Sequence, residues 1–127
     1  MQDVSLEGLR VLILEDEVLI ALDLEQACRD FGAAEVIVAR TLDEAETATS
    51  AAFDVAVLDI MLAGRSTVEF AAGLSARGIP FVFATGYTDA DRLIGDMADV
   101  EIVDKPFSTE ALVRAIARAM ERRSSPV

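Results

Sequence analysis

Five short apolar runs punctuate the chain: Val11–Leu14, Glu35–Ala39, Val55–Leu58, Phe81–Ala84 and Glu101–Val103. Several are apolar at consecutive positions, the pattern of strands covered on both faces. Between them, apolar positions recur at helical spacing. Ile20, Leu24, Ala27, Cys28 and Phe31 fall on one face of a first helix, and Gly32 is placed to stop it. Thr41 with Glu44, and Ser66 with Glu69, have the spacing of a capping box. Gly95, among the polar residues Asp91, Arg92 and Asp96, predicts a weak fourth helix. Leu112, Val113, Ile116, Ala117 and Met120 stripe the last helix, with Ser108 as its cap. Residues 1–8 and 122–127 read as flexible ends of a single domain over 1–127.

Strands alternating with helices imply parallel strands joined by right-handed crossovers. Five strands and five helices in this length predict an α/β, flavodoxin-like (βα)5 fold, a doubly wound parallel sheet of order 2-1-3-4-5. Ligands of such sheets bind beyond the carboxyl ends of the strands, where strand order reverses. Here that point lies between strands one and three, which run into Glu15–Asp16 and into Asp59.

Composition narrows the partners. The net charge is −12, with 23 acidic and 11 basic residues, which argues against a basic surface for nucleic acid or an anionic membrane. No apolar run approaches the ~20 residues of a membrane span. The start lacks the apolar stretch of a signal peptide, and one cysteine forms no internal disulfide, so a reducing, cytoplasmic location is expected. The chain has no histidine, so a phosphoryl group arriving from histidine must come from another protein.

Polar residues close the apolar runs. Glu15, Asp16 and Glu17 follow the first, Asp59 the third and Thr85 the fourth; Lys105, the only lysine, follows the fifth and precedes Pro106. Crowded carboxylates repel and need a cation or retained protons. Oxygen ligands without histidine or cysteine select Mg²⁺, Mn²⁺ or Ca²⁺ over zinc. An ammonium at the same edge would neutralise a phosphoryl group as a point charge. Each residue also has a plainer reading: solvated acids at strand ends, Glu17 as an acid suiting a helix dipole, a turn threonine, a surface lysine.

Taken together, Val11-Leu12-Ile13-Leu14-Glu15-Asp16-Glu17, Val57-Leu58-Asp59-Ile60-Met61-Leu62, Thr85 and Asp104-Lys105-Pro106-Phe107 resemble a response-regulator receiver (CheY-like) domain of two-component signalling. The resemblance covers essentially the whole chain. It implies that Asp59 accepts a phosphoryl group from a histidine kinase or histidine phosphotransfer protein. It also implies Mg²⁺, or Mn²⁺, held by Asp16, Asp59 and the backbone carbonyl of Met61, with Glu15 acting through water. Lys105 and Thr85 would contact the phosphoryl oxygens. By the same likeness, signalling runs through the fourth helix, fifth strand and fifth helix. The protein would catalyse only its own phosphorylation and dephosphorylation.

Some positions depart from the family pattern. Phe83-Ala84-Thr85-Gly86-Tyr87 resembles an atypical FATGUY-type subgroup, associated with HWE-type histidine kinases. Ile102 stands where most receivers carry an aromatic switch residue, Ala63 where proline is usual and Thr67 where glycine is common. Thr85, Gly86 and Tyr87 are therefore expected to carry the switch. Neither Met61 nor Tyr87 offers an amide or carboxylate to orient water, so slow autodephosphorylation is expected. With little sequence beyond the fifth helix, no output domain is expected. Two other readings stand beside this one. A degenerate receiver would serve only as a binding module. A small Mg²⁺-dependent aspartyl phosphatase would normally need a second aspartate where Met61 stands. No P-loop or GxGxxG pattern supports nucleotide binding.

Overall fold

A computed structural model describes residues 5–48, 52–85, 100–104 and 107–124. The elements in order are β1 (Arg10–Leu14), α1 (Val18–Asp30), β2 (Glu35–Ala39), α2 (Leu42–Ala48), β3 (Val55–Leu58), β4 (Met61–Leu62), β5 (Arg65–Ser66), α3 (Val68–Ala76), β6 (Phe81–Thr85), β7 (Glu101–Asp104) and α4 (Thr109–Ser124). The expected fourth helix, about Gly95, lies outside the described residues. The main sheet runs β2-β1-β3-β6-β7, all parallel. This is the expected order 2-1-3-4-5, with the small hairpin β4–β5 set aside.

Alternation along each strand divides the core in two. Val11, Ile13, Val55, Val57, Val82 and Ala84 face one way and pack with Leu24 and Cys28 of α1 and Leu112 and Ile116 of α4. Leu12, Leu14, Ala56, Leu58 and Phe83 face the other way, against Ala45 of α2 and Ala71 and Leu74 of α3. Both faces are covered, which is why these runs carry no polar alternation. Cys28 is wholly buried, and desolvation by that burial, with the Glu25 charge adding to it, pushes its thiol up to about 11. It is a packing residue.

The helix stops follow the sequence signals closely. After α1, Gly32 at φ +101 donates to the Arg29 carbonyl and Ala33 to that of Cys28, a complete Schellman arrangement. A side chain at Gly32 would also press on the Glu7 backbone at 3.2 Å. Thr41 Oγ1 accepts the Glu44 N–H, while Glu44 reaches back to the Arg40 N–H rather than to that of Thr41. Ser108 Oγ accepts the Ala111 N–H and caps α4.

Three expectations are corrected. Ser66 does not open a capping box with Glu69: it lies in β5 and accepts the Val68 N–H, because the hairpin occupies the chain before α3. Glu17, read from the sequence as an acid of the first helical turn suiting the helix dipole, stands instead at the N-cap of α1, with no side-chain capping bond. The start is not loose from residue 5 onward. Leu6 is fully buried, its N–H bonds the Phe31 carbonyl, and Gly8 bonds that of Gly32.

Candidate metal and phosphoryl site

The register of β1 with β3 sets Leu14 beside Leu58, so the next residues, Glu15 and Asp59, leave the sheet at the same level. Backbone bonds extend the ladder past the strands: the Asp59 N–H donates to the Leu14 carbonyl at 3.0 Å and the Glu15 N–H to the Ala39 carbonyl at 3.1 Å. The acids are thus held by rigid backbone at the point where strand order reverses. Glu15, Asp16 and Asp59 each offer a carboxylate oxygen, and these oxygens lie within 4.8 Å of one another. Glu15 and Asp59 are buried and Asp16 is half-buried.

At 4.8 Å two ionised carboxylates would repel by roughly 3.5 kcal/mol at an effective dielectric near 20, and more if closer. A divalent cation removes the repulsion. The donor set is all oxygen and suits a hard cation such as Mg²⁺ or Mn²⁺. The sequence brings no histidine to compete, and Cys28 is sunk in the α1 core. Local bonds orient two of the acids. Glu15 Oε2 accepts the Glu17 N–H at 3.1 Å, and Asp59 Oδ1 accepts a longer bond, 3.4 Å, from the Met61 N–H.

Beyond Asp59 the chain folds into the β4–β5 hairpin, with Met61 paired to Ser66 and Leu62 to Arg65. Its two central residues, Ala63 and Gly64, have φ of +50 and +81. Positive φ at both is what a two-residue hairpin turn of the right twist needs. It also explains why proline is absent at Ala63, since its ring fixes φ near −65°. Sequence reading treats Ala63 and Thr67 only as departures from a family pattern. The structure gives Thr67 a contact: it is wholly buried, and Oγ1 donates to the Asp59 carbonyl at 2.6 Å.

Thr85 is the last residue of β6, in register with Asp104, the last of β7. Lys105, Pro106, Gly86 and Tyr87 lie outside the described residues. Ile102 is half-buried on the edge strand β7. Beside it an open depression of about 390 Å³ runs over β7 and α4, lined by Ile102, Phe107, Ala111, Arg114 and Arg118. The buried carboxylate of Glu101 is met there by Arg118 Nε at 3.0 Å. At the start of α1, Val18, Leu19 and Leu22 are exposed, Leu19 by 77%. Among the described residues, no helix is long and apolar enough to cross a membrane.

Comparisons with known proteins bear on the fold and the family. The chain is 32% identical over 117 residues to the transcriptional regulatory protein PdtaR of Mycobacterium tuberculosis, covering 89% of this chain and 57% of that protein. It therefore spans little more than half the length of the curated relative it matches. The response regulator PhyR of Brucella abortus superposes with a TM-score of 0.82 at 30% identity, over 96% of this chain and 51% of that one. The PhyR receiver domain of Erythrobacter litoralis gives 0.81 at 28% identity, over 95% and 96%. The family model for the response regulator receiver domain matches residues 11–117, and the chain belongs to that family.

Proposed function

We propose that the chain accepts a phosphoryl group on Asp59 from a phosphohistidine of a partner protein, with Mg²⁺ held by Asp16, Asp59 and the Met61 carbonyl and with Glu15 acting through water. The observation that carries this is the cluster of three carboxylates at the strand-order switch, with Asp59 buried and addressed by the Met61 N–H. In the transfer, an Asp59 carboxylate oxygen forms a bond to phosphorus as the phosphorus–nitrogen bond to the donor imidazole breaks. The bonding pair leaves on that nitrogen, which takes a proton, so histidine is released neutral and Asp59 becomes an acyl phosphate. Such a step needs in-line positioning and charge neutralisation more than a base. A bound divalent cation supplies part of that neutralisation. Lys105 and Thr85 supply more in this reading, supported by the pairing of Thr85 with Asp104, the residue before Lys105.

The donor would rest on the exposed apolar start of α1, where Val18 is two residues from Asp16. A histidine kinase, of the HWE type if the FATGUY-like likeness holds, or a phosphotransfer protein would fit, in the cytoplasm. The phosphorylated chain would signal by protein contact over β7 and α4, where Ile102 and Arg114 line an open depression. One similar solved structure is the anti-anti-sigma factor PhyR of Bartonella quintana, and an acidic chain of net charge −12 suits a protein target better than nucleic acid. The chain would act on no substrate but its own Asp59. We place the switch at Thr85, Gly86, Tyr87 and Ile102; unchanged amide exchange over residues 85–97 on phosphorylation would rule that out.

Incubation with acetyl phosphate and Mg²⁺, followed by intact mass, tests the core of the reading. One added phosphoryl group, absent in Asp59→Asn, is expected. No addition to the wild-type chain overturns it.

A further inference from the structure

Thr67 stands at the N-cap of α3 but does not cap it: no backbone N–H of that helix bonds its side chain. An N-cap threonine ordinarily accepts such a bond, which is why the residue is favoured there. Here the hydroxyl turns back toward the sheet. Oγ1 lies 2.6 Å from the Asp59 carbonyl oxygen and 3.2 Å from that of Ile60, and the Thr67 N–H also donates to the Ile60 carbonyl at 2.8 Å. The side chain is 0% exposed. One buried residue therefore ties the first turn of α3 to the two peptides that follow β3. The Met61 N–H, just beyond, bonds the Asp59 carboxylate. Glycine, common at this position in the family, could not make the hydroxyl bond.

We propose that Thr67 is a positioning residue for phosphoryl acceptance: its hydroxyl pins the Asp59–Ile60 backbone, and thereby holds the Asp59 carboxylate and the Met61 carbonyl where the cation and the phosphoryl group meet. The inference rests on the phosphoacceptor reading of Asp59. Its physical basis is that a reacting group must be held to a fraction of an ångström by neighbours that are themselves locked. The hairpin between Asp59 and Thr67 turns through two positive-φ residues, and without the hydroxyl the loop is closed by its β4–β5 pairing and the Thr67 N–H bond to the Ile60 carbonyl, neither of which reaches the Asp59 carbonyl.

The test compares wild type with Thr67→Val, which keeps the shape and loses the hydroxyl, Thr67→Ser, which restores it, and Thr67→Gly, a second hydroxyl-free variant should valine disturb the fold. Phosphorylation by acetyl phosphate is timed by intact mass at saturating Mg²⁺, well below each variant's melting temperature. Exchange of the Met61 amide is followed in parallel. Thr67→Val and Thr67→Gly are expected to slow phosphorylation about tenfold, within the roughly hundredfold that an ångström of misplacement costs. Both should speed Met61 exchange, and Thr67→Ser should restore both readouts. A merely structural threonine would lower the melting temperature and leave the saturated rate alone. That outcome, with the folded hydroxyl-free variants phosphorylating at the wild-type rate, overturns the inference and leaves the acceptor reading standing. A wild-type chain that takes up no phosphoryl group overturns both.

Discussion

Strand β3 has an aspartate at each end, and the two have opposite surroundings. Asp54, just before the strand, accepts the Arg10 N–H at 2.8 Å and faces the Arg10 guanidinium at 3.7 Å. Asp59, just after it, lies among the carboxylates of Glu15 and Asp16. The first carboxylate stitches two strands together beside a positive charge. The second is buried close to two further carboxylates, whose mutual repulsion a cation would relieve. The same residue type, four apolar residues apart, bridges two strands at one end and, in the proposed reading, accepts the phosphoryl group at the other. The difference lies in what the neighbouring strand contributes at each level: Arg10 below, Glu15 and Asp16 above.

That contrast can be broken experimentally. The largest effect expected is on phosphorylation: Asp16→Asn should slow uptake from acetyl phosphate at fixed Mg²⁺ by at least about a hundredfold, since a metal ion supplies several kcal/mol of charge stabilisation. Asp54→Asn should leave the rate within about twofold, because its partner Arg10 is at the far end of the sheet. Timed intact-mass measurements of both variants check this. Equal losses would erase the distinction between the two ends.

The hairpin beyond Asp59 comes next. Ala63→Pro, which installs the residue usual in the family, should destabilise the fold by about 2 kcal/mol, because a ring fixed near −65° is forced on a site at φ +50. Ala63→Gly should instead stabilise by about 0.5 kcal/mol, the relief of left-handed strain slightly exceeding the entropy cost of glycine. Denaturant unfolding distinguishes the two signs. A stabilising proline would mean the turn is not held at positive φ.

Cation binding sharpens the comparison further. Mg²⁺ at ten times its dissociation constant should stabilise the wild-type chain by about 1.4 kcal/mol. The gain should vanish in Asp59→Asn and persist in Asp54→Ala, as thermal melts with and without Mg²⁺ would show. A smaller loss falls at the other end. Asp54→Ala should cost about 1 kcal/mol, mostly the hydrogen bond to the Arg10 N–H, since the ion pair itself is substantially exposed. A loss that disappears at high salt would assign it to the ion pair instead.

Much of this was legible in the residues. Consecutive apolar positions in Val11–Leu14 and Val55–Leu58 announced strands buried on both faces, and both are wholly buried. Gly32, Thr41 and Ser108 marked helix ends where the backbone bonds now lie. The acids flanking the strands pointed to one edge, and Glu15, Asp16 and Asp59 meet there. The hairpin was not legible: β4 and β5 are two residues each, too short for a period, and Ala63 is not a residue that signals positive φ. Nor was the burial of Leu6, whose partners at Phe31 and in the core arrive from elsewhere in the chain.

By itself, then, the sequence determined the α/β alternation, the strand order and the family, because periodicity, caps and strand-end acids are local signals that survive without neighbours. It also named Asp59 and its fellow acids. Only the tertiary structure decided which aspartate at the ends of β3 sits among like charges, which way the Thr67 hydroxyl turns and how the loop after Asp59 closes. Those depend on register between strands distant in sequence and on backbone angles within a two-residue turn, and neither is written in any residue taken alone.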